Sequence, residues 1–188
     1  VAFLTERQLM DLGLARYGKG VRISDKASIY GATRVSIGDY TRIDDFCIIS
    51  AGSEGILIGA NVHIAAFSSL IGHEKISIDD FSNISSRVSI YSSNDDYSGE
   101  TMTNPTIPDT FKDVSHKRVS IGQHVIIGSG SVVLPGSTIP DGVAIGSLSL
   151  IKDHLRPWTV YGGIPVKAIR PRKKGLLKLC EQFTSSRD

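Results

Sequence analysis

An aliphatic residue returns at every sixth position along most of this chain. The run is clearest at Ile121, Ile127, Val133, Ile139, Ile145 and Ile151, where Gly122, Gly128 and Gly146 directly follow three of the rungs. The same spacing joins Ile23 to Ile29, then Ile37, Ile43 and Ile49, then Ile58, Ile64 and Leu70, then Ile78, Ile84 and Ile90. Four residues after a rung the side chain is small or β-branched, as at Ala27, Thr41, Cys47, Val62, Ser68, Ser82, Val88, Ser131 and Ser137. Side chains alternate with a period of two along a strand, so both positions face the same side and point into a core. A flat strand of such length would leave an unpaired edge, whereas coiling three strands per turn lets each coil pair with the next. The expectation is an all-β solenoid of triangular section, with about 18 residues per coil.

The interruptions of this rhythm are as informative as the rungs. They follow Ile29, Ile49, Leu70 and Ile90, which places all of them at one of the three corners. The first and third add two residues and the second adds three; the fourth is a long excursion from about Tyr91 to Lys117, reading YSSNDDYSGETMTNPTIPDTFKDVSHK. Its Asn, Asp, Gly and Pro residues favour ordered turns, and connections of this length are commonly functional. A plainer reading is a polar loop packed on a neighbouring subunit, with Asp95, Asp96 and Glu100 solvated or capping turns. At the ends, Thr5–Leu14 predicts a short helix with Thr5-x-x-Gln8 as a capping box and Leu9, Leu12 and Met10 covering the first coil. Gly175–Phe183 predicts an amphipathic closing helix. The chain thus divides into a helical cap (1–20), the coils with their loop (21–151, loop 91–117) and a tail with a helix (152–188).

Bulk properties exclude several functions. A net charge of +2 over 188 residues gives no field for nucleic acid. No apolar run approaches the roughly 20 residues that span a bilayer. Cys47 and Cys180 form no CxxC pattern, so neither a disulfide framework nor a zinc knuckle is expected, and a reducing, cytoplasmic setting follows.

Residues 21 to 151 resemble the β-helix of the hexapeptide acyltransferase superfamily, and WTVYGGIPVKAIRPR matches its G-x-P-x-K/R-x-I signature through Gly163, Pro165, Lys167 and Ile169. The resemblance implies a left-handed parallel β-helix of about five to six coils, against the usual right-handed rule for parallel crossovers. It also implies a homotrimer with sites between subunits and acetyl-CoA as co-substrate. On the family pattern Ser129 and Ser147, the latter after Gly146, line the pantetheine groove, and Lys152 nears the nucleotide phosphates. Gly162 and Gly163 allow close backbone approach to a flat ligand, while Lys167, Arg170 and Arg172 offer charge to phosphates.

The segments SIYSSNDDYSGE and MTNPTIP resemble acyltransferases of polysaccharide and O-antigen pathways, including those acting on nucleotide-linked 4-amino-4,6-dideoxy sugars. In the galactoside and xenobiotic enzymes of the superfamily a general-base histidine stands five residues after the last rung before the loop; this chain has Asp95 there. A carboxylate of ordinary pKa near about 4 is a weak base for a sugar hydroxyl, whereas an amine needs only to lose its ammonium proton and be well placed. The expected function is N-acetylation of a nucleotide-linked amino-dideoxy sugar for surface polysaccharide. Asp95, with or without His73, would handle the amine, Asn83 or Tyr97 would contact the sugar, and Asn94, Asp96 and Glu100 would complete the acceptor site. His73 lies in the break after Leu70, at the same corner. Galactoside-type O-acetylation is the alternative. A zinc-dependent hydratase and a non-catalytic trimeric scaffold also use this fold. The histidine positions 63, 73, 116, 124 and 154 contain no close pair, so no metal is expected. His63 faces outward from a strand, and either it or His116 could meet a neighbouring subunit.

Overall fold

The computed structural model describes residues 2–186, and the hexapeptide ladder becomes three sheets wound into one parallel β-solenoid. The first face carries Arg16–Tyr17, Val35–Ile37, Ile56–Ile58, Ile76–Ile78, Val119–Ile121 and Thr138–Ile139. The second carries Arg22–Ile23, Arg42–Ile43, His63–Ile64, Asn83–Ile84, Ile126–Ile127, Ala144–Ile145 and Thr159–Gly162, and the third runs from Ser28–Tyr30 to Leu150–Ile151. Six coils are complete and Thr159–Gly162 begins a seventh, somewhat more than the five to six expected. The additional strands, Arg16–Tyr17 and Thr159–Gly162, lie outside the stretch where the six-residue rhythm can be followed.

Register explains why the ladder holds. Ile23, Ile43, Ile64, Ile84, Ile127 and Ile145 are successive cross-strand partners on the second face, and each is at most 3% exposed. Every aliphatic rung therefore stacks on its counterpart one coil away, forming a continuous apolar column. The small positions do a second job. Thr41, Ser68, Ser82 and Ser131 are buried, yet each hydroxyl donates to a carbonyl one coil on (Gly59, Ser85, Gly122 and Gly146) and accepts an N–H from the same coil (Val62, Val88, Val125 and Ser149). Polar residues are tolerated in this core because each one bridges two coils.

All irregular connections sit at the corner between the third and first faces, including the 3-10 turn Ala32–Arg34 and the long excursion. The corner between the first and second faces instead repeats a left-handed residue at Tyr40, Asn61, Phe81, His124 and Trp158. Gly142 occupies the same corner, and the Trp158 ring leaves no space there for a Cβ.

At the N-terminal end α1 (Glu6–Asp11) has both halves of the Thr5/Gln8 capping box and buries Leu9, but Met10 is 60% exposed and does not cover the first coil as expected. At the other end Lys167–Pro171 folds back antiparallel on Thr159–Gly162. Helix α2 (Gly175–Ser185) does not close the solenoid as predicted; it lies on the flank, where Phe183 meets Phe81 edge-on at 6.3 Å. Its apolar stripe needs an apolar neighbour, and the flank supplies one in Phe81 and Ile126. No helix among the described residues is long and apolar enough to cross a membrane.

Candidate active site

The excursion is rooted by a small antiparallel ribbon in which Ser93 pairs with His116 and Asn94 with Ser115. Ser93 Oγ lies 2.8 Å from His116 Nδ1 and accepts the His73 N–H at 2.9 Å. The His73 and His116 rings stack with centroids 4.6 Å apart, and Ser53 of the preceding coil sits 3.3 Å from the His73 ring nitrogens. His73 therefore does stand at the foot of the loop. Its immediate neighbour is His116, which the sequence offered only as a residue that could meet a neighbouring subunit.

Within the excursion Asp96 is the organising residue. Its carboxylate accepts from the Ser98 N–H and hydroxyl (2.7 and 2.9 Å) and from the Thr101 N–H and hydroxyl (both 3.0 Å). The Ser98 and Thr101 bonds hold its carboxyl down at about 2, so it is ionised and fully engaged in shaping the loop. Asp95 differs: it is exposed and has no side-chain partner among the described residues. Tyr97 is 87% exposed and Glu100 is also exposed.

Asn83 is not at this corner. It lies on the second face, the side of the prism opposite the loop, where its Oδ1 is 3.0 Å from His63 Nδ1. His63 Nε2 in turn is 2.8 Å from Asp44 Oδ2, and Arg42 Nε donates to Asp44 Oδ1 at 2.6 Å. Burial pushes the Asp44 carboxyl up, but the bonds from His63 and Arg42 outweigh it, and the net displacement is downward. His63 does face outward, as its strand position implied, but it is tied into a polar network that periodicity gave no sign of.

The residues expected to hold the co-substrate divide in a similar way. Ser129 and Ser147 are exposed on consecutive coils at the corner between the second and third faces, with the Leu148 N–H bonded to the Ser129 carbonyl. Gly163 comes next at that corner, its N–H donating to Ser149 Oγ at 3.2 Å. Gly146 is exposed, and a Cβ there would meet only ordinary contacts with the Tyr161 carbonyl at 3.6 Å and Gly162 at 3.9 Å. Pro165 follows a cis peptide bond after Ile164. Lys152 lies beyond the third-face strand Leu150–Ile151, hence at a different corner. Lys167 and Arg170 are exposed on the returning strand, and Arg156 joins Arg170 beside a cleft of ≈ 330 Å³ that the sequence did not reveal. Arg172 has a structural task that the sequence did not show: its Nη1 donates to the carbonyls of His124, Gly142 and Val143 at 2.7 to 3.2 Å, which pins the tail to the coils. Among the described residues no three His, Cys, Asp or Glu side chains converge as a metal site.

No family model matches the chain. It is 50% identical over 186 residues to the dTDP-4-amino-4,6-dideoxy-D-glucose acyltransferase of Escherichia coli, a match spanning 99% of this chain and 97% of that one. A mutant of AntD, an N-acyltransferase from Bacillus cereus, solved in complex with dTDP-4-amino-4,6-dideoxyglucose and coenzyme A, superimposes with a TM-score of 0.94 at 42% identity and covers 98% of both chains. AntD in complex with dTDP and 3-hydroxybutyryl-CoA gives a TM-score of 0.92, also at 42% identity, over 98% of this chain and 97% of that one.

Proposed function

This chain belongs to the hexapeptide-repeat acyltransferases, alongside the dTDP-4-amino-4,6-dideoxyglucose acyltransferases, and on that premise we propose that it acetylates the amine of a nucleotide-linked amino-dideoxy sugar. The reaction joins the amine nitrogen to the thioester carbonyl and breaks the carbon–sulfur bond. The proton lost by nitrogen ends on the thiol of coenzyme A. One observation carries the choice of an amine: Asp95 is an acceptor-only, unpartnered carboxylate at the foot of a loop that Asp96 already holds in shape. An ammonium group is its natural complement, and Asp95 would orient it as it loses its proton.

In this reading Ser129, Ser147 and Gly163 line the pantetheine groove, and Lys167 and Arg170 meet the phosphates. Asn83 and Asp95 stand on opposite sides of one prism, so an acceptor touching both must lie between two copies of the chain. That requirement supports sites between subunits of a homo-oligomer, which on the family pattern is a homotrimer. The product would serve lipopolysaccharide assembly, in a cytoplasmic enzyme. The stacked His73 and His116 favour a second reading, O-acetylation, because a hydroxyl needs a base and two imidazoles stand beside the loop.

Thiol release separates the readings. Acetyl-CoA with a dTDP-linked 4-amino-4,6-dideoxy sugar is expected to release coenzyme A, and the corresponding 4-hydroxy sugar is not. Faster release with the hydroxyl sugar would move the assignment to O-acetylation, and no release with any acceptor would remove both. A parallel run with 3-hydroxybutyryl-CoA fixes the acyl group, since AntD has been seen with that thioester.

A further inference from the structure

The root of the excursion is a column of side chains that crosses three coils. Ser53, His73 and Ser93 follow one another at the irregular corner, and His116 completes the column on the strand that returns from the loop. Two glycines allow this close approach. A Cβ at Gly52 would collide with the His73 backbone, and one at Gly72 with the Ser92 hydroxyl. Ser92 is buried and donates to the Glu74 carbonyl at 2.6 Å, while its own carbonyl accepts the Lys117 N–H at 3.0 Å. The outgoing and returning strands are thus both tied to the coils.

Ser93 is the hub of the column. Its oxygen takes the His73 N–H on one lone pair, and its contact with His116 Nδ1 uses the hydroxyl proton or the other lone pair. One hydroxyl therefore joins the coil below to a residue 23 positions further along the chain. The stacked His73 and His116 rings span the same gap from the side. The ribbon depends on such support, because it comprises only two residue pairs and a pairing that short is marginal in water.

Asp95 stands two residues beyond this hub, and on its other side Asp96 is committed to Ser98 and Thr101. An exposed carboxylate is thus flanked by two anchored residues, which leaves its own two side-chain torsions as its main freedom. Such placement matters for rate, since a displacement of about 1 Å can cost on the order of a hundredfold. The imidazoles, by contrast, are engaged with each other and with the Ser53 and Ser93 hydroxyls.

We propose that the Ser53–His73–Ser93–His116 column is a positioning device: it fixes the backbone from which Asp95 reaches the acceptor amine, and neither imidazole acts as the base. The assignment rests on the amine acceptor proposed above. It makes His116 a positioning residue for a carboxylate on the opposite strand of the ribbon.

The test measures transfer from acetyl-CoA to a dTDP-linked 4-amino-4,6-dideoxy sugar in two pairs of variants. Ser93→Ala removes the shared hydroxyl, and Ser93→Thr keeps it. His116→Ala removes the ring, whereas His116→Asn sets an amide where Nδ1 stood and cannot serve as a base. The alanine variants are expected to lose about tenfold or more in kcat, with KM for both substrates within about twofold of wild type. The threonine and asparagine variants should keep kcat within about threefold. In an Asp95→Asn background His116→Ala should cost about twofold or less, because positioning has no carboxylate left to act on, whereas a merely structural defect would multiply with the first. Circular-dichroism melts show which variants are folded at the assay temperature; if His116→Ala is not, the Ser93 pair decides. Alanine variants with wild-type kcat, His116→Asn as slow as His116→Ala, or multiplying defects in the double variant would each overturn the positioning role. Transfer retained by every variant sinks the column alone, while no thiol release from the wild type with any acceptor sinks the proposed reaction and the column's role with it.

Discussion

Ser82 offers a sharp test of how the coils are held together, because it ties the fourth coil to the fifth across the long excursion. Its side chain is 1% exposed; the hydroxyl donates to the Gly122 carbonyl at 2.8 Å and accepts the Val125 N–H at 3.1 Å. Ser82→Ala removes both bonds while leaving the volume almost unchanged, so a buried N–H loses its partner. That costs about 1–3 kcal/mol. For a chain of this size each kcal/mol lowers the melting temperature by about 2–4 °C, so a fall of roughly 2–12 °C is expected. The same variant should open the root of the excursion, seen as faster chymotrypsin cleavage near Tyr97 or Phe111, both exposed. Ser120→Ala, on the outer side of the first face, is the control and should melt like wild type. Thermal melts by circular dichroism at fixed protein concentration decide it. A Ser82→Ala melt within about 1 °C of wild type, or an equal loss in Ser120→Ala, would refute the bridging role given to the buried hydroxyls.

Other expectations follow from single residues. Asp95→Asn keeps the shape of the side chain but removes its charge, and should lower kcat/KM for an aminosugar by about tenfold or more; unchanged turnover in both Asp95→Ala and His73→Ala would leave loop positioning as the whole mechanism. The Asp96 carboxyl is held at about 2, below its unfolded value, so its contribution to loop order is complete above about pH 4 and disappears as pH falls through about 2; pepsin cleavage of the excursion, corrected for pepsin's own pH profile on an unstructured peptide, would follow that curve, and equally fast cleavage at about pH 4 and about pH 2 would contradict it. Burial raises the Cys47 thiol to about 11, whereas Cys180 is only half-buried. A thiol reagent at pH 8 should therefore titrate one cysteine in the native chain and both in denaturant; two fast thiols in the native state would show that the core around Cys47 is not sealed.

Periodicity made the architecture legible, since a rung every six residues with a small partner four places on leaves little choice but a three-sided coil. It also located the irregular corner, because the length of each interruption can be counted without knowing its shape. The ends were read less well. Met10 and the closing role of α2 failed for the same reason: an amphipathic stripe says that a helix must bury one side, not which surface receives it. Arg172 was assigned by charge alone, and the three carbonyls that use it lie 29 to 48 residues away in sequence.

Side-chain direction on the outer faces is where the two levels part. From the sequence alone came the solenoid, the single corner that carries the excursion, and an aspartate where the family has a histidine; all three depend on spacing along the chain. Tertiary structure alone decided that Asp96 is committed to the loop while Asp95 is not, that His73 stacks on His116, that Asn83 stands across the prism from the loop, and that Arg22, Arg42 and His63 form one column. The Asp96 bonds are local, to Ser98 and Thr101, but depend on how the loop turns; the other contacts join residues about one coil or more apart through register between strands, and register is a property of neighbouring coils, invisible in any one of them.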